Sequence, residues 1–167
     1  MLGRSIRDPY RVESQQEQVE GLMLLPVETI FSRGKTTQQV TGRVAWGKGL
    51  LDGAEGIAVS GYEIHMGQSL DKGMAHPFLV QSTGQEPHHD GAADDRGLVL
   101  GTYLHGLFQE QAFRTAFLNN LRRRKGLSPQ RSSAVLSKDE HYDRLADLVR
   151  GSLDMRRIYE ICGLEAR

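Results

Sequence analysis

The stretch Gly97-Leu98-Val99-Leu100-Gly101-Thr102-Tyr103-Leu104-His105-Gly106 points most directly to the fold of this 167-residue chain. Residues 97–103 are apolar and β-prone, which predicts a covered strand of a parallel sheet. The sequence after Phe108 turns helical, so His105 is expected just beyond the carboxyl end of a strand. Open α/β sheets gather their chemistry at that position. The stretch therefore predicts an α/β fold.

His105 is the first candidate for a catalytic residue. Gly101 and Gly106 have no side chain beyond hydrogen and would permit a substrate or a backbone segment to approach closely. A histidine there could act as a general base. The alternative is a strand-end histidine that is bonded only to the backbone. No plausible nucleophile accompanies His105 in this chain.

Composition excludes several classes of protein. Lys plus Arg equals Asp plus Glu, at 21 each, so the chain has no electrostatic footprint for nucleic acid. No apolar run approaches the roughly 20 residues of a membrane span, and residues 1–11 contain no signal-peptide core. The single cysteine cannot form an internal disulfide. These features predict a globular protein of the cytoplasm without a nucleic-acid or membrane partner.

Period-two patterns predict further strands at residues 39–46, 57–66 and 77–82. Residues 83–96 are polar and rich in Gly and Asp, which predicts a loop. Residues 1–6 are interpreted as the tail of a helix that Asp8-Pro9 would stop. Residues 21–27 could be a buried connection or a short strand.

The segment Gly61-Tyr62-Glu63-Ile64-His65-Met66-Gly67 holds the second candidate site. Strand alternation puts Glu63 and His65 on one face, together with Val59 and Gly61. A carboxylate and an imidazole on one face could bind a polar ligand. The alternative is a half-exposed strand with one solvated face.

Two helices are expected at the end of the chain. In residues 109–125, Phe113, Ala116, Phe117 and Leu121 recur at helical spacing. A capping-box pattern at residues 137–140 starts the second helix, whose apolar stripe follows at Leu145, Val149 and Leu153. Cys162, late in that helix, is expected to be a buried structural thiol.

His88-His89-Asp90 superficially suggests a metal site. Adjacent histidines seldom converge on one ion, and no other ligand pair has useful spacing, so no metal site is predicted. The basic run 122–125 complements the dipole at a helix C-terminus and is not interpreted as a nucleic-acid site.

Three motifs carry a resemblance to a known family. They are residues 61–67, Asp90-Gly91-Ala92, and Gly101-Thr102-Tyr103-Leu104-His105-Gly106-Leu107-Phe108. Met1-Leu2-Gly3, Asp8-Pro9 and the segment 21–29 fit the same pattern in the same order. Over essentially its whole length, the chain resembles the C-terminal glutamine amidotransferase domain of the cobyric acid synthase family of cobalamin biosynthesis. The resemblance implies part of a class I amidotransferase domain, with a flavodoxin-like three-layer α/β fold.

The resemblance also assigns roles to residues. His105 matches the catalytic histidine of the family, and the strand of Glu63 and His65 would lie near the glutamine pocket. In the family a cysteine on a strand-to-helix elbow attacks the glutamine amide. That elbow runs into a Met-Leu-Gly that matches Met1-Leu2-Gly3, so the nucleophile is expected a few residues before Met1. The chain is therefore expected to lack the nucleophile, half of the amidotransferase domain and the ATP-binding domain, and to be inactive alone.

The partners implied by the resemblance are glutamine and adenosylcobyrinic acid a,c-diamide. ATP and Mg are the implied cofactors, and both belong to the absent domain rather than to this chain. Two other interpretations stay open: a catalytically inactive binding module that stands alone, and a fragment of the related cobyrinate a,c-diamide synthase. An exposed sheet edge with uncovered apolar residues, candidates being Val59, Leu98 and Leu100, predicts self-association.

Overall fold

A computed structural model describes residues 1–71, 73–130 and 138–164 of the chain. The chain divides into two compact units, residues 1–132 and 133–167. The strands of the first unit are β1 (Ser5–Arg7), β2 (Gln18–Glu20), β3 (Glu28–Ile30), β4 (Thr36–Val44), β5 (Ala58–His65), β6 (Gln68–Leu70), β7 (Phe78–Gln81), β8 (His88–Asp90), β9 (Ala92–Ala93), β10 (Leu100–Gly101) and β11 (Leu104–His105).

The larger sheet of the first unit has five strands in the order β11-β5-β4-β7-β8. All of its neighbouring strands are antiparallel. β4 and β5 pair over eight residues, from Thr36 opposite His65 to Arg43 opposite Ala58. Opposed side chains share a face, so Val40, Gly61, Gln38 and Glu63 fall on one side of this sheet.

The smaller sheet has four strands in the order β2-β1-β3-β6. β1 runs parallel to β3, whereas β2 pairs with β1, and β6 with β3, in antiparallel fashion. The short strands β9 and β10 form a separate antiparallel pair. Mixed sheets with helices make this an α/β fold, as the sequence predicted.

One face of the larger sheet forms the hydrophobic core with helix α1 (Gln111–Arg124). Phe113 is fully buried there and its ring meets Phe78 edge-on, with ring centroids 5.9 Å apart. Asn120 is also buried, and its side-chain amide donates to the carbonyls of Leu50 and Asp52 at 3.0 and 2.8 Å. These bonds fix α1 to the 3-10 turn at residues 49–51. A second 3-10 turn, at residues 107–109, leads from β11 into α1.

The second unit contains α2 (Lys138–Ser152) and α3 (Met155–Cys162). The Asp154 side chain caps α3 by accepting from the amide of Arg157 at 3.0 Å, and Gly163 ends the helix in the left-handed conformation. The sequence predicted a single helix here, which is wrong: the cap at Asp154 starts a new one. Ser137, the expected capping-box residue, lies outside the described residues.

The prediction of a covered parallel strand at residues 97–103 is wrong. This region forms the two-residue strands β10 and β11, and both pair in antiparallel fashion. The break falls at Thr102, whose hydroxyl accepts from the amide of Leu104 at 3.0 Å. A side chain that bonds the local backbone in this way competes with the sheet ladder. His105 consequently lies within a short edge strand rather than beyond a central one.

Three further expectations need correction. Residues 1–6 do not end a helix, because β1 begins at Ser5 between two partner strands. Residues 83–96 are not wholly a loop, since they contain β8 and β9. Cys162 is exposed rather than buried. The described helices include none that is both long enough and apolar enough to cross a lipid bilayer.

Candidate functional site

A cavity of about 650 Å³ in the first unit collects most of the titratable side chains singled out above. Met1, Leu22, Leu25 and Val27 form part of its apolar wall. Its polar wall is formed by Glu63, His65, Ser69, Asp71, His76, His88, His89, Asp90, Thr102 and Tyr103. Cavities of this size commonly hold small-molecule ligands.

Glu63 is the central acid of the polar wall. Its carboxylate accepts a hydrogen bond from the Gln38 side-chain amide at 2.8 Å and lies 3.2 Å from Nε2 of both His65 and His88. Burial by itself would raise the pKa of Glu63, but the Gln38 hydrogen bond and the charges of His88 and His65 outweigh it, so the pKa is lowered. Glu63 is therefore a buried carboxylate that stays ionised.

His65 bridges this carboxylate to the chain that follows β5. Its Nδ1 lies 2.7 Å from the carbonyl oxygen of Gly67, and its ring stacks at a tilt on Tyr103 with 4.6 Å between centroids. A carbonyl oxygen only accepts, so Nδ1 carries a hydrogen. The other ring nitrogen, Nε2, faces the Glu63 carboxylate, so both nitrogens of His65 have a partner.

Asp90, at the end of β8, is a second buried acid of the cavity wall. Its carboxylate accepts from the Thr102 hydroxyl and from the Tyr103 amide, the latter at 3.2 Å. Burial raises the pKa of Asp90, and the nearby negative charge of Glu63 acts in the same direction against the hydrogen bonds. Glu63 and Asp90 are thus two acids in one cavity whose environments move their pKa values in opposite directions.

His105 lies outside the cavity lining and is exposed. It pairs with Tyr62 across the β11–β5 ladder, whereas Leu104 pairs with Glu63, so His105 and Glu63 belong to opposite faces of the sheet. Its ring is fixed by one local contact, from Nδ1 to the carbonyl oxygen of Tyr103 at 3.0 Å. Because Tyr103 also lines the cavity, the histidine and the cavity adjoin through this residue.

The structure brings Glu63 and His65 together, as the strand pattern predicted, but on the buried face. Sequence reasoning missed Gln38. It considered His88 and Asp90 as metal ligands, and Asp90 also as part of a family motif, but it did not place either residue beside Glu63. Pairing β4 with β5 places Gln38 opposite Glu63, so a correct strand alignment would have found it. In the described part of the chain, no three His, Cys, Asp or Glu side chains are placed to hold a metal ion.

Comparison with known proteins adds evidence of another kind. Residues 1–113 match the CobB/CobQ-like glutamine amidotransferase domain. The match ends inside α1, at Phe113, and includes every strand of the first unit. It therefore covers the whole cavity and His105.

Several curated relatives carry the name cobyric acid synthase. One from Dehalococcoides mccartyi (strain BAV1) is 46% identical over 163 residues, covering 96% of this chain and 32% of the relative. One from Caldanaerobacter subterraneus subsp. tengcongensis is 43% identical over 169 residues, covering 96% and 33%. A third, from Geobacillus kaustophilus, is 43% identical over 162 residues, covering 96% and 30%. The chain thus spans about a third of the length of these relatives.

Proposed function

Because the chain belongs to the CobB/CobQ-like glutamine amidotransferase domain family, we propose that it supplies the histidine side of a glutaminase site. That site would serve a cobyric acid synthase, which amidates corrinoid side-chain carboxylates in cobalamin biosynthesis. The observation that carries the proposal is the identity of 46% to a cobyric acid synthase across 96% of the chain, including the segment of His105. The relatives' names support a cobyric acid synthase over the a,c-diamide enzyme.

The proposed reaction is hydrolysis of glutamine to glutamate and ammonia. A thiol upstream of the matched region would attack the amide carbon, and His105 would accept the thiol proton and return it to the ammonia that leaves as the thioester forms. Water, deprotonated by His105, would then attack the thioester carbon, releasing glutamate and the thiol, which regains the proton. Nδ1 of His105 faces a carbonyl oxygen and must carry a hydrogen, so Nε2 is the nitrogen with the free electron pair. Nε2 is therefore the proposed base.

We further propose that Glu63 and His65 help to bind glutamine. A buried, ionised carboxylate attracts the α-ammonium group of an amino acid, and His65 holds that carboxylate in place through its Nε2. The cavity that they line has room for glutamine, and one of its lining residues, Tyr103, carries the carbonyl oxygen that faces Nδ1 of His105. ATP and Mg²⁺ would bind in the two thirds of the longer relatives that this chain does not match.

A chimera tests the glutaminase role. Residues 1–167 would replace the matching region of the Dehalococcoides mccartyi relative, and amidation would be measured with glutamine and with free ammonia. His105→Ala should reduce glutamine-dependent turnover by about 10² to 10⁴ while leaving ammonia-dependent turnover largely intact. His141→Ala, an exposed histidine of α2, is the matched control. Unchanged glutamine-dependent turnover in His105→Ala would rule out the role.

The same chimera tests the binding residues. Glu63→Gln keeps the shape of the side chain but removes its charge, so the KM for glutamine should rise at least tenfold while ammonia-dependent turnover holds. Glu86→Gln, at an exposed glutamate, is the control. A structure with a bound glutamine analogue far from Glu63 and His65 would leave these residues a purely structural role.

A further inference from the structure

We propose that Asp90 and Thr102 are positioning residues that fix the tautomer of His105, by holding the Tyr103 peptide against the His105 ring. This inference depends on the proposed function only for its catalytic consequence. The tautomer of His105 can be observed in the 167-residue chain whether or not that function holds. The glutaminase proposal assigns no role to the Asp90-Gly91-Ala92 motif. The present inference assigns Asp90 of that motif the role of positioning His105.

Asp90 and Thr102 clamp the backbone on either side of Tyr103. Asp90 is only 4% exposed, and its two carboxylate oxygens accept from adjacent groups, the Thr102 hydroxyl and the Tyr103 amide. The Thr102 hydroxyl oxygen in turn accepts from the amide of Leu104. Two consecutive backbone amides are thereby held by one buried acid and its hydroxyl partner. This bonding fixes the plane of the peptide between residues 103 and 104.

The carbonyl group of Tyr103 is held by a second set of contacts. The Tyr103 oxygen accepts from the Ile64 amide on β5 at 3.3 Å and lies 3.0 Å from Nδ1 of His105. A carbonyl oxygen has two lone pairs and can accept both bonds. The direction of the carbonyl is therefore set from β8 through Asp90 and from β5 through Ile64.

The fixed Tyr103 carbonyl selects the tautomer of the His105 imidazole. A hydrogen bond from one ring nitrogen decides which nitrogen carries the proton in the neutral ring. With Nδ1 donating to Tyr103, the proton is held on Nδ1 and the lone pair on Nε2. No partner for Nε2 occurs among the residues that the structure describes, so that nitrogen remains open to an incoming group. A rotated peptide would remove the acceptor and leave the ring free to move its proton to Nε2.

The test is nitrogen-15 NMR of the histidine side chains in the 167-residue chain, with the His105 signals assigned by comparison with His105→Ala. In the neutral ring of the unmodified chain, Nδ1 should be protonated and Nε2 bare. Thr102→Val removes the hydroxyl at nearly constant volume, and the His105 signals should shift toward a mixture of tautomers. Thr102→Ser restores a hydroxyl and should restore the original signals.

Asp90→Asn provides a second route to the same result, because an amide cannot accept from both neighbours with both of its ends. Asp94→Asn is the matched control, because the Asp94 side chain also accepts from two backbone amides, but those of Leu98 and Val99 rather than of residues 102–105. Backbone amide spectra show whether each variant is folded. If Asp90→Asn does not fold, the Thr102 pair decides the question.

Signals of His105 that stay unchanged in folded Thr102→Val would overturn the inference, as would a proton on Nε2 in the unmodified chain. The glutaminase role is tested separately by His105→Ala in the chimera, so its failure is distinguishable from failure of the positioning role. A tautomer change in Thr102→Val without loss of glutamine-dependent turnover would keep the positioning role and overturn its catalytic consequence. A reduced kcat with an unchanged KM for glutamine, rescued by Thr102→Ser, would support both.

Discussion

Glu63 combines burial with hydrogen bonding to three side chains from β4, β5 and β8. In Glu63→Gln, the same three partners would face the neutral carbonyl oxygen and the NH2 group of an amide instead of a carboxylate. We expect Glu63→Gln to lower the free energy of unfolding at pH 7 by roughly 1–3 kcal/mol, the usual cost of unsatisfied buried polar groups. Urea denaturation of the chain beside Glu86→Gln measures the difference.

The same variant predicts a pH dependence. The pKa of Glu63 is lower in the folded chain than in the unfolded chain, where it is about 4.3. The ionised carboxylate therefore contributes to the free energy of unfolding, and this contribution is fully present above the unfolded-chain pKa of Glu63. This contribution is lost as the pH falls through the lower pKa of the folded chain. The stability difference between Glu63→Gln and the unmodified chain should therefore narrow below about pH 4. A difference that persists undiminished at pH 3 would contradict the assigned cause.

Gly61 shows how close β5 and β11 approach. An added Cβ would lie 2.3 Å from the carbonyl oxygen of His105, a separation that real Cβ atoms essentially never show. Gly61→Ala should push the edge strand away and cost about 1–3 kcal/mol, as overpacking does. It should also disturb the His105 ring signals.

Thermal denaturation of Gly61→Ala beside Gly34→Ala checks this expectation. A Cβ at Gly34 would meet nothing within 4 Å, so the control should be nearly neutral. Equal stability of the two variants would mean that the β5–β11 contact is looser than described.

At the scale of the element, the sequence predicted the parts that are long and amphipathic. β4, β5, β7 and α1 were found within a few residues of their bounds because one face of each meets the core. The two- and three-residue strands were missed or misread because their existence depends on partners far away in the chain. β1, for example, pairs with residues 18–20 and 28–30.

The residues of the candidate site also divide into those that a local pattern could group and those that only strand pairing brings together. Glu63 and His65 could be grouped from local alternation, because both lie on β5. Gln38, His88 and Asp90 join them only through the pairing of β4, β7 and β8, which no local pattern states. His105 was singled out for its position at the end of an apolar run, but that run is broken by the hydrogen bonds of Thr102, and the catalytic role of His105 stays a prediction.

At the scale of the whole molecule, we expect the 167-residue chain to release no measurable ammonia from glutamine. A histidine can deprotonate a thiol, but the only cysteine is Cys162, which is exposed at the end of α3 in the second unit. A coupled glutamate assay beside the active chimera provides the measurement. Ammonia release that vanished in Cys162→Ser would contradict the expectation.

Self-association remains a prediction, but its surface differs from the one expected. Val59 is buried in the core, so its proposed role in an uncovered patch is wrong, and Leu98 and Leu100 are half-buried. One group of exposed apolar side chains in the first unit is Met1 with Leu22–Leu24, where backbone bonds from residues 22–25 hold the two segments together. Exposed apolar patches of this kind favour association.

Sedimentation of the purified chain should therefore detect dimers or larger species at micromolar concentration. Leu24→Lys should shift the distribution toward the monomer, whereas Leu127→Lys, at an equally exposed leucine after α1, should not. A monodisperse monomer with a sharp thermal transition would show that the patch drives no association.

β4 and β5 pair over eight residues, and successive side chains of each strand lie on opposite faces of the sheet. The face on which a side chain lies therefore depends on the number of residues that precede it in the strand. Insertion of a single residue between Ser60 and Tyr62 would exchange the two faces for the rest of β5, sending Glu63 into solvent and Tyr62 into the core. An insertion in the exposed segment 83–87 would change no such assignment. Length variation among functional versions of this chain should therefore accumulate at residues 83–87 and be absent from β5, whatever residues occupy either place.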